Sequence, residues 1–169
     1  MTGLFLAPHH DDEALFGAFT LLRHRPLVVV CFDGDPRHGA REVREAETDA
    51  AMDVLGCQWE KMPRDGNGVL FDLAKYGRPE RIWAPWYEPA GNIDHNWVGL
   101  SAEALWGGRV SFYTTYTTAG RTRIGEPVPT EPGWEDLKRA ALACYRSQLA
   151  QPWIRPHFER GLDEYVIEA

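Results

Sequence analysis

The chain has 169 residues, of which 44% are hydrophobic and 25% charged, with a formal net charge of −7. That length suits one domain (1–169) with a sizeable core, and the acidic balance lacks the basic footprint that a phosphate backbone needs, so nucleic acid is not expected as a partner. No apolar run approaches the roughly 18 to 20 residues that span a bilayer. The first residues also lack the basic start and apolar stretch of a signal peptide, so the expected location is cytoplasmic. Cys31, Cys57 and Cys144 are widely spaced and form no sulfur-ligand pair.

In chain order, GLFLAP (3–8) and LVVVCFD (27–33) are continuous apolar runs, the pattern of central strands in a parallel sheet covered on both faces. Between them ALFGAFTLLRHR (14–25) has the length of a crossover helix, giving a βαβ unit. Residues 40–56 predict the clearest helix, with Val43, Ala46, Ala50, Val54 and Leu55 as its apolar stripe and Gly56 as its C-cap. RDGNG (64–68) reads as a turn and ERIWAP (80–85) as another buried strand. A helix over 97–107, a strand over 110–117 and a helix from Trp134 to about Leu149 follow. The tail carries no clear signal.

The predicted fold is α/β, a three-layer α/β/α arrangement on a mostly parallel sheet. In such sheets ligands sit beyond the carboxyl ends of the strands. Three polar segments fall there, His9–Glu13, Asp33–Arg44 and Tyr87–Asn96, and two of them carry the strongest signals. PHHDDE (8–13) puts five ionisable residues after the first strand, and NIDHN (92–96) lies in a loop after the ERIWAP strand. Carboxylates at a helix start are ordinary, but two histidines beside them are not explained by that alone. His9, Asp12 and His95 would supply two imidazoles and one carboxylate, a normal protein shell for a catalytic zinc with one position left for water.

PHHDDE, the helix pattern Arg44, Glu47, Ala51, Leu55, Gly56, and the loop Asn92–His95 together resemble the PIG-L/LmbE-like family of zinc-dependent N-deacetylases. Lys138 and Tyr145-Arg146-Ser147-Gln148 are similar to a further helix of that family. The resemblance implies a Rossmann-like fold with the metal site at the C-terminal edge of the strands, and hydrolysis of an N-acetyl group on an amino sugar or glycoconjugate. By position, His9, Asp12 and His95 match the metal ligands (Zn2+, or another divalent transition metal), and Asp11 the general base. Asp94 matches the carboxylate that tunes the catalytic imidazole, and Glu13 a structural glutamate. His10 takes a position usually held by proline.

The chain departs from the family at Asn92, where a histidine is usual. An amide can donate to an oxyanion but carries no proton at neutral pH. The leaving amine's proton would then come from Asp11, or from His10, His38 or Tyr87. Arg44, Asn92, Trp86 and Tyr87 are the candidate substrate contacts, and Trp83 and Trp97 are expected near them. A non-sugar N-acyl amide and a metal-retaining binding protein stand as alternatives, and a homo-oligomer is compatible with so short a chain.

Overall fold

The computed structural model describes residues 3–62, 69–117, 120–121, 123–159 and 162–169. The turn expected over 64–68 lies outside the described residues. Five parallel strands form the centre of one sheet: β1 (Gly3–Ala7), β2 (Leu27–Val30), β3 (Trp59–Lys61), β4 (Arg81–Pro85) and β5 (Val110–Tyr113). Two short strands, β6 (Tyr116–Thr117) and β7 (Gly120–Arg121), pair apart from it. The last two, β8 (Glu126–Pro127) and β9 (Tyr165–Ile167), extend the main sheet antiparallel, in the order β3-β2-β1-β4-β5-β9-β8. The sheet is therefore mixed but mostly parallel, and no residue of β1 reaches solvent.

Helices cover both faces, because alternate residues of each central strand point opposite ways. On the face of Phe5, Ala7, Val28 and Val30 lie α1 (Asp12–Phe16), α2 (Ala18–His24), α3 (Arg41–Leu55) and α6 (Trp134–Cys144). On the face of Leu4, Leu6 and Val29 lie α4 (Val69–Ala74) and α5 (Ile93–Trp106). Two short helices, α7 (Arg146–Leu149) and α8 (Arg155–Glu159), complete the set. Among the described residues no helix is long and apolar enough to cross a membrane.

The chain builds outward from β1 to β2 and β3, then returns to the other side of β1 for β4 and β5. The strand order thus reverses between β1 and β4. Connections leaving those two strands diverge to opposite faces, which opens a crevice at their carboxyl ends.

The strand expected over 110–117 is two, β5 and β6, in different sheets, and three helices also need correction. The helix expected over 14–25 is two helices, broken at Gly17, where a Cβ would stand 2.2 Å from Phe5 Cζ. The break also exposes the first amides of α2, and Phe19 N and Thr20 N donate to the carboxylate of Glu164, at 3.0 and 3.4 Å. Lys138 Nζ pairs with the same carboxylate at 2.6 Å, so a buried ion pair ties α2, α6 and the C-terminal segment together. The helix expected from Trp134 to Leu149 breaks at Tyr145, and Ser147 N at the start of α7 donates to Glu47 at 2.7 Å.

The third helix correction concerns α3, which buries Arg44, Glu47, Thr48, Ala51, Met52 and Leu55 and leaves Val43 47% exposed. Its inward face is set by polar partners rather than by the stripe of Val43, Ala46 and Ala50. Gly17→Ala should lower stability by about 1–3 kcal/mol through the clash with Phe5, read as a reduced urea midpoint. Lys138→Met strands the Glu164 carboxylate and should cost about 3–5 kcal/mol on the same measurement.

Candidate metal centre

The turn after β1 carries the site. Cys31 N and Phe32 N donate to Ala7 O and Pro8 O at 2.8 and 2.9 Å, so β2 supports the chain up to the first ligand candidate. Asp11 then adopts φ 118, a conformation that costs a non-glycine residue on the order of 1–3 kcal/mol. Local bonds hold it there. His9 N donates to Asp12 Oδ2 at 2.9 Å, and Asp11 N to Glu13 Oε2 at 3.1 Å. Arg44 Nη2, from α3, donates to the His10 carbonyl and to Asp11 Oδ2, the latter at 3.1 Å. Tyr145 Oη donates to Glu13 Oε1 from below.

NIDHN is not a loop. It is the start of α5, with Asn92 as N-cap accepting from Asp94 N at 2.8 Å. The cap fixes the first turn, which carries Asp94 and His95 toward the β1 turn. His95 Nε2 stands 3.1 Å and His9 Nδ1 3.4 Å from the same oxygen, Asp12 Oδ2. The other ring nitrogen of His9 meets Asp94 Oδ2 at 2.8 Å. Asp94 therefore holds the far ring nitrogen of a candidate ligand.

This geometry fits a small divalent cation. Tetrahedral zinc with bonds of ~2.1 Å places its ligand atoms roughly 3.4 Å apart. The separations around Asp12 Oδ2 are close to that edge, and the candidate donor atoms of His9, Asp12 and His95 all lie within 4.8 Å of one another. A carboxylate holding the far nitrogen of a ligand histidine is also a recurrent feature of metal sites.

A second grouping of His10, Asp33 and Glu45 is equally compact. There Lys61 Nζ contacts Asp33 and lies 3.9 Å from Glu45, while Arg41 Nε lies 2.8 Å from Glu45. Two cations already balance those two carboxylates. Between His9, Asp12 and His95 the described residues place no lysine or arginine.

The charges are strongly displaced. Burial alone lowers the His9 imidazole, but the hydrogen bonds to Asp12 and Asp94 carry it up to about 10. Burial works against the Asp12 carboxylate, yet His95 and His9 hold it well below the usual range. Burial pushes Asp11 up to about 7 against the pull of Arg44. It pushes Glu13 up to about 8, with the charge of Asp11 adding to the rise. Burial and the charge of Arg44 hold His10 down at about 3, with Nδ1 on Thr48 Oγ1 at 2.8 Å.

Two cavities meet at this grouping. One of about 400 Å3 is walled by Leu15, Phe16, Tyr116, Ile154 and His157, and opens on His9, Asp12 and His95. The other, about 220 Å3, is walled by Asp11, Asp35, Arg44, Asp94 and Gln148. Asn92 borders both. Trp86 and Tyr87 border neither. They stack on each other at 5.0 Å and pack edge-on to Phe112, and Tyr87 Oη donates to Glu103.

Trp83 is core material stacked on His24, and Trp97 is 51% exposed on α5. Of the alternative proton donors, His10 is fully buried away from both cavities, and the His38 side chain lies outside the described residues. Sequence patterning does not reveal the aromatic wall of Phe16, Tyr116 and His157. Tyr116 belongs to a segment whose composition predicts one long strand, and His157 to a tail without periodicity.

No family model and no curated protein matches the chain. Solved structures do. N,N'-diacetylchitobiose deacetylase from Pyrococcus horikoshii matches with a TM-score of 0.72 at 17% identity, over 98% of this chain and 83% of that one. A triple mutant of the deacetylase of the teicoplanin biosynthetic pathway matches with a TM-score of 0.70 at 18% identity, over 100% and 99%. The fold is that of the PIG-L/LmbE-like deacetylases. GalB, the 4-carboxy-2-hydroxymuconate hydratase from Pseudomonas putida KT2440, shares it with a TM-score of 0.69 at 14% identity, over 98% and 95%.

Metal-free protein should take up one zinc per chain in equilibrium dialysis, and His95→Ala should lose it. Asp94→Asn should keep the site but weaken zinc about 10- to 100-fold.

Proposed function

We propose that the chain is a PIG-L/LmbE-like hydrolase that removes an acyl group from an amide nitrogen, with zinc held by His9, Asp12 and His95. The amine it frees belongs to an amino sugar or glycoconjugate. One observation carries this reading. Asp11, a carboxylate with no part in the donor set, is held beside the set by strained backbone and by Arg44. A site that only bound metal would gain nothing from that arrangement.

Zinc bound there would polarise an amide oxygen and make water acidic enough to attack near neutral pH. Asp11 takes the proton of the attacking water as the new C–O bond forms. Arg44 keeps its carboxylate pointed at the site while it does so. Asn92 donates from Nδ2 to the developing oxyanion, because its Oδ1 is occupied with the cap of α5. It has no proton to give the amine. Asp11 therefore returns the proton as the C–N bond breaks, and the products are a carboxylate and a free amine.

The GalB likeness shows that this fold also hosts hydration, so the fold alone does not select the reaction. The names of the deacetylases that share the fold, diacetylchitobiose and teicoplanin among them, support an amino-sugar substrate.

Zinc titrated into metal-free protein should switch on release of free amine from N-acetylated amino sugars. Asp11→Asn should bind zinc with wild-type stoichiometry and lose about 10²- to 10⁴-fold in kcat. Full zinc occupancy with no amine released from sugar or non-sugar amides would leave a binding protein instead.

A further inference from the structure

The two cavities at the donor set differ in chemistry. Leu15, Phe16 and Tyr116 give the larger one an apolar wall that the smaller one lacks, while Ile154 borders both. Phe16 and Tyr116 meet edge to face at 4.8 Å, and the Tyr116 hydroxyl is spent on the His157 carbonyl at 2.8 Å. The smaller one holds the carboxylates of Asp11, Asp35 and Asp94 with the Arg44 guanidinium. Asp11 borders only the smaller cavity, and His95 only the larger.

We propose that the larger cavity is an acyl-chain pocket and that the enzyme removes acyl groups longer than acetyl. This rests on the hydrolase reading above. An amide carbon carries an oxygen, a nitrogen and the acyl chain, about 120° apart in one plane. The oxygen faces His9, Asp12 and His95. The nitrogen must face Asp11, which returns its proton, and so lies toward the smaller, charged cavity. The remaining direction, that of the acyl chain, leads away from Asp11 into the larger, apolar cavity.

Size and polarity agree with this assignment. A methyl group fills a volume close to the ~30 Å3 of a liquid water molecule. A cavity of about 400 Å3 is far larger than an acetyl group needs. A sugar ring would find few partners for its hydroxyls along Leu15 and Phe16. It finds carboxylates and an amide in the smaller cavity, at Asp35, Asp94 and Gln148.

The test is a series of N-acyl glucosamines with acetyl, butanoyl, hexanoyl and octanoyl chains, given to the zinc-loaded protein. Beside it, binding of the matching free carboxylates, acetate to octanoate, is measured by calorimetry. We expect kcat/KM to rise by up to about fourfold per methylene as far as hexanoyl, with carboxylate affinity rising in parallel. Tyr116→Asn, at a half-buried wall position that borders only the larger of the two cavities, should flatten both gradients. Acetyl as the fastest substrate, with flat carboxylate affinities, overturns the pocket and leaves the deacylase intact. Absence of amine release from every member overturns the deacylase reading. In that case the carboxylate gradient alone decides the pocket, which stands if affinity climbs with chain length and falls if it does not.

Discussion

Five ionisable side chains in succession, His9 to Glu13, follow directly on a strand with no solvent exposure. Burying such a run beside an apolar sheet is costly unless each group finds a partner of opposite charge or a hydrogen bond. Each does. Asp12 takes two imidazoles, Asp11 takes Arg44, Glu13 takes Tyr145, and His10 takes Thr48. Those partners come from α3, α5 and the junction of α6 and α7. The positions of three surrounding elements thus follow from the need to neutralise one turn.

That demand accounts for features of the helices that apolar periodicity would not produce. Arg44, Glu47 and Thr48 lie on the inward side of α3, and each reaches a group in or near the site. The chain breaks at Tyr145 so that one residue can turn toward Glu13 while Ser147, two positions on, satisfies Glu47. A continuous helix would place those two side chains on different faces. The sheet supplies the rest. Its reversal of strand order between β1 and β4 sets the N-terminus of α5 opposite the β1 turn, where His95 meets Asp12.

The central strands are legible in the sequence because a long apolar run bounded by polar clusters can bury both of its faces only inside a covered sheet. The donor set is legible for a related reason, since parallel strands bring both clusters to the same sheet edge. What cannot be read depends on pairs far apart in the chain. The break at Gly17 is set by the ring of Phe5, and the amides it frees are taken by Glu164. The orientation of α3 is set by partners in the turn after β1. The tryptophans lie close to NIDHN along the chain yet away from the site, because β4 directs Trp83 into the core and Trp86 packs on Tyr87 and Phe112. The wall of Tyr116, Ile154 and His157 combines a segment whose composition predicts one unbroken strand with a tail that carries no periodic signal.

The carboxylate of Glu164 has a bearing on how the chain acquires its structure. It receives the first amides of α2, a helix whose last residue is His24, and it stands immediately before β9. A contact spanning 145 positions requires the whole intervening chain to close into a loop. During synthesis the first βαβ unit emerges complete in sequence yet with its second helix lacking an N-terminal partner, and with Lys138 still to come. The earliest crossover is finished only when β9 docks.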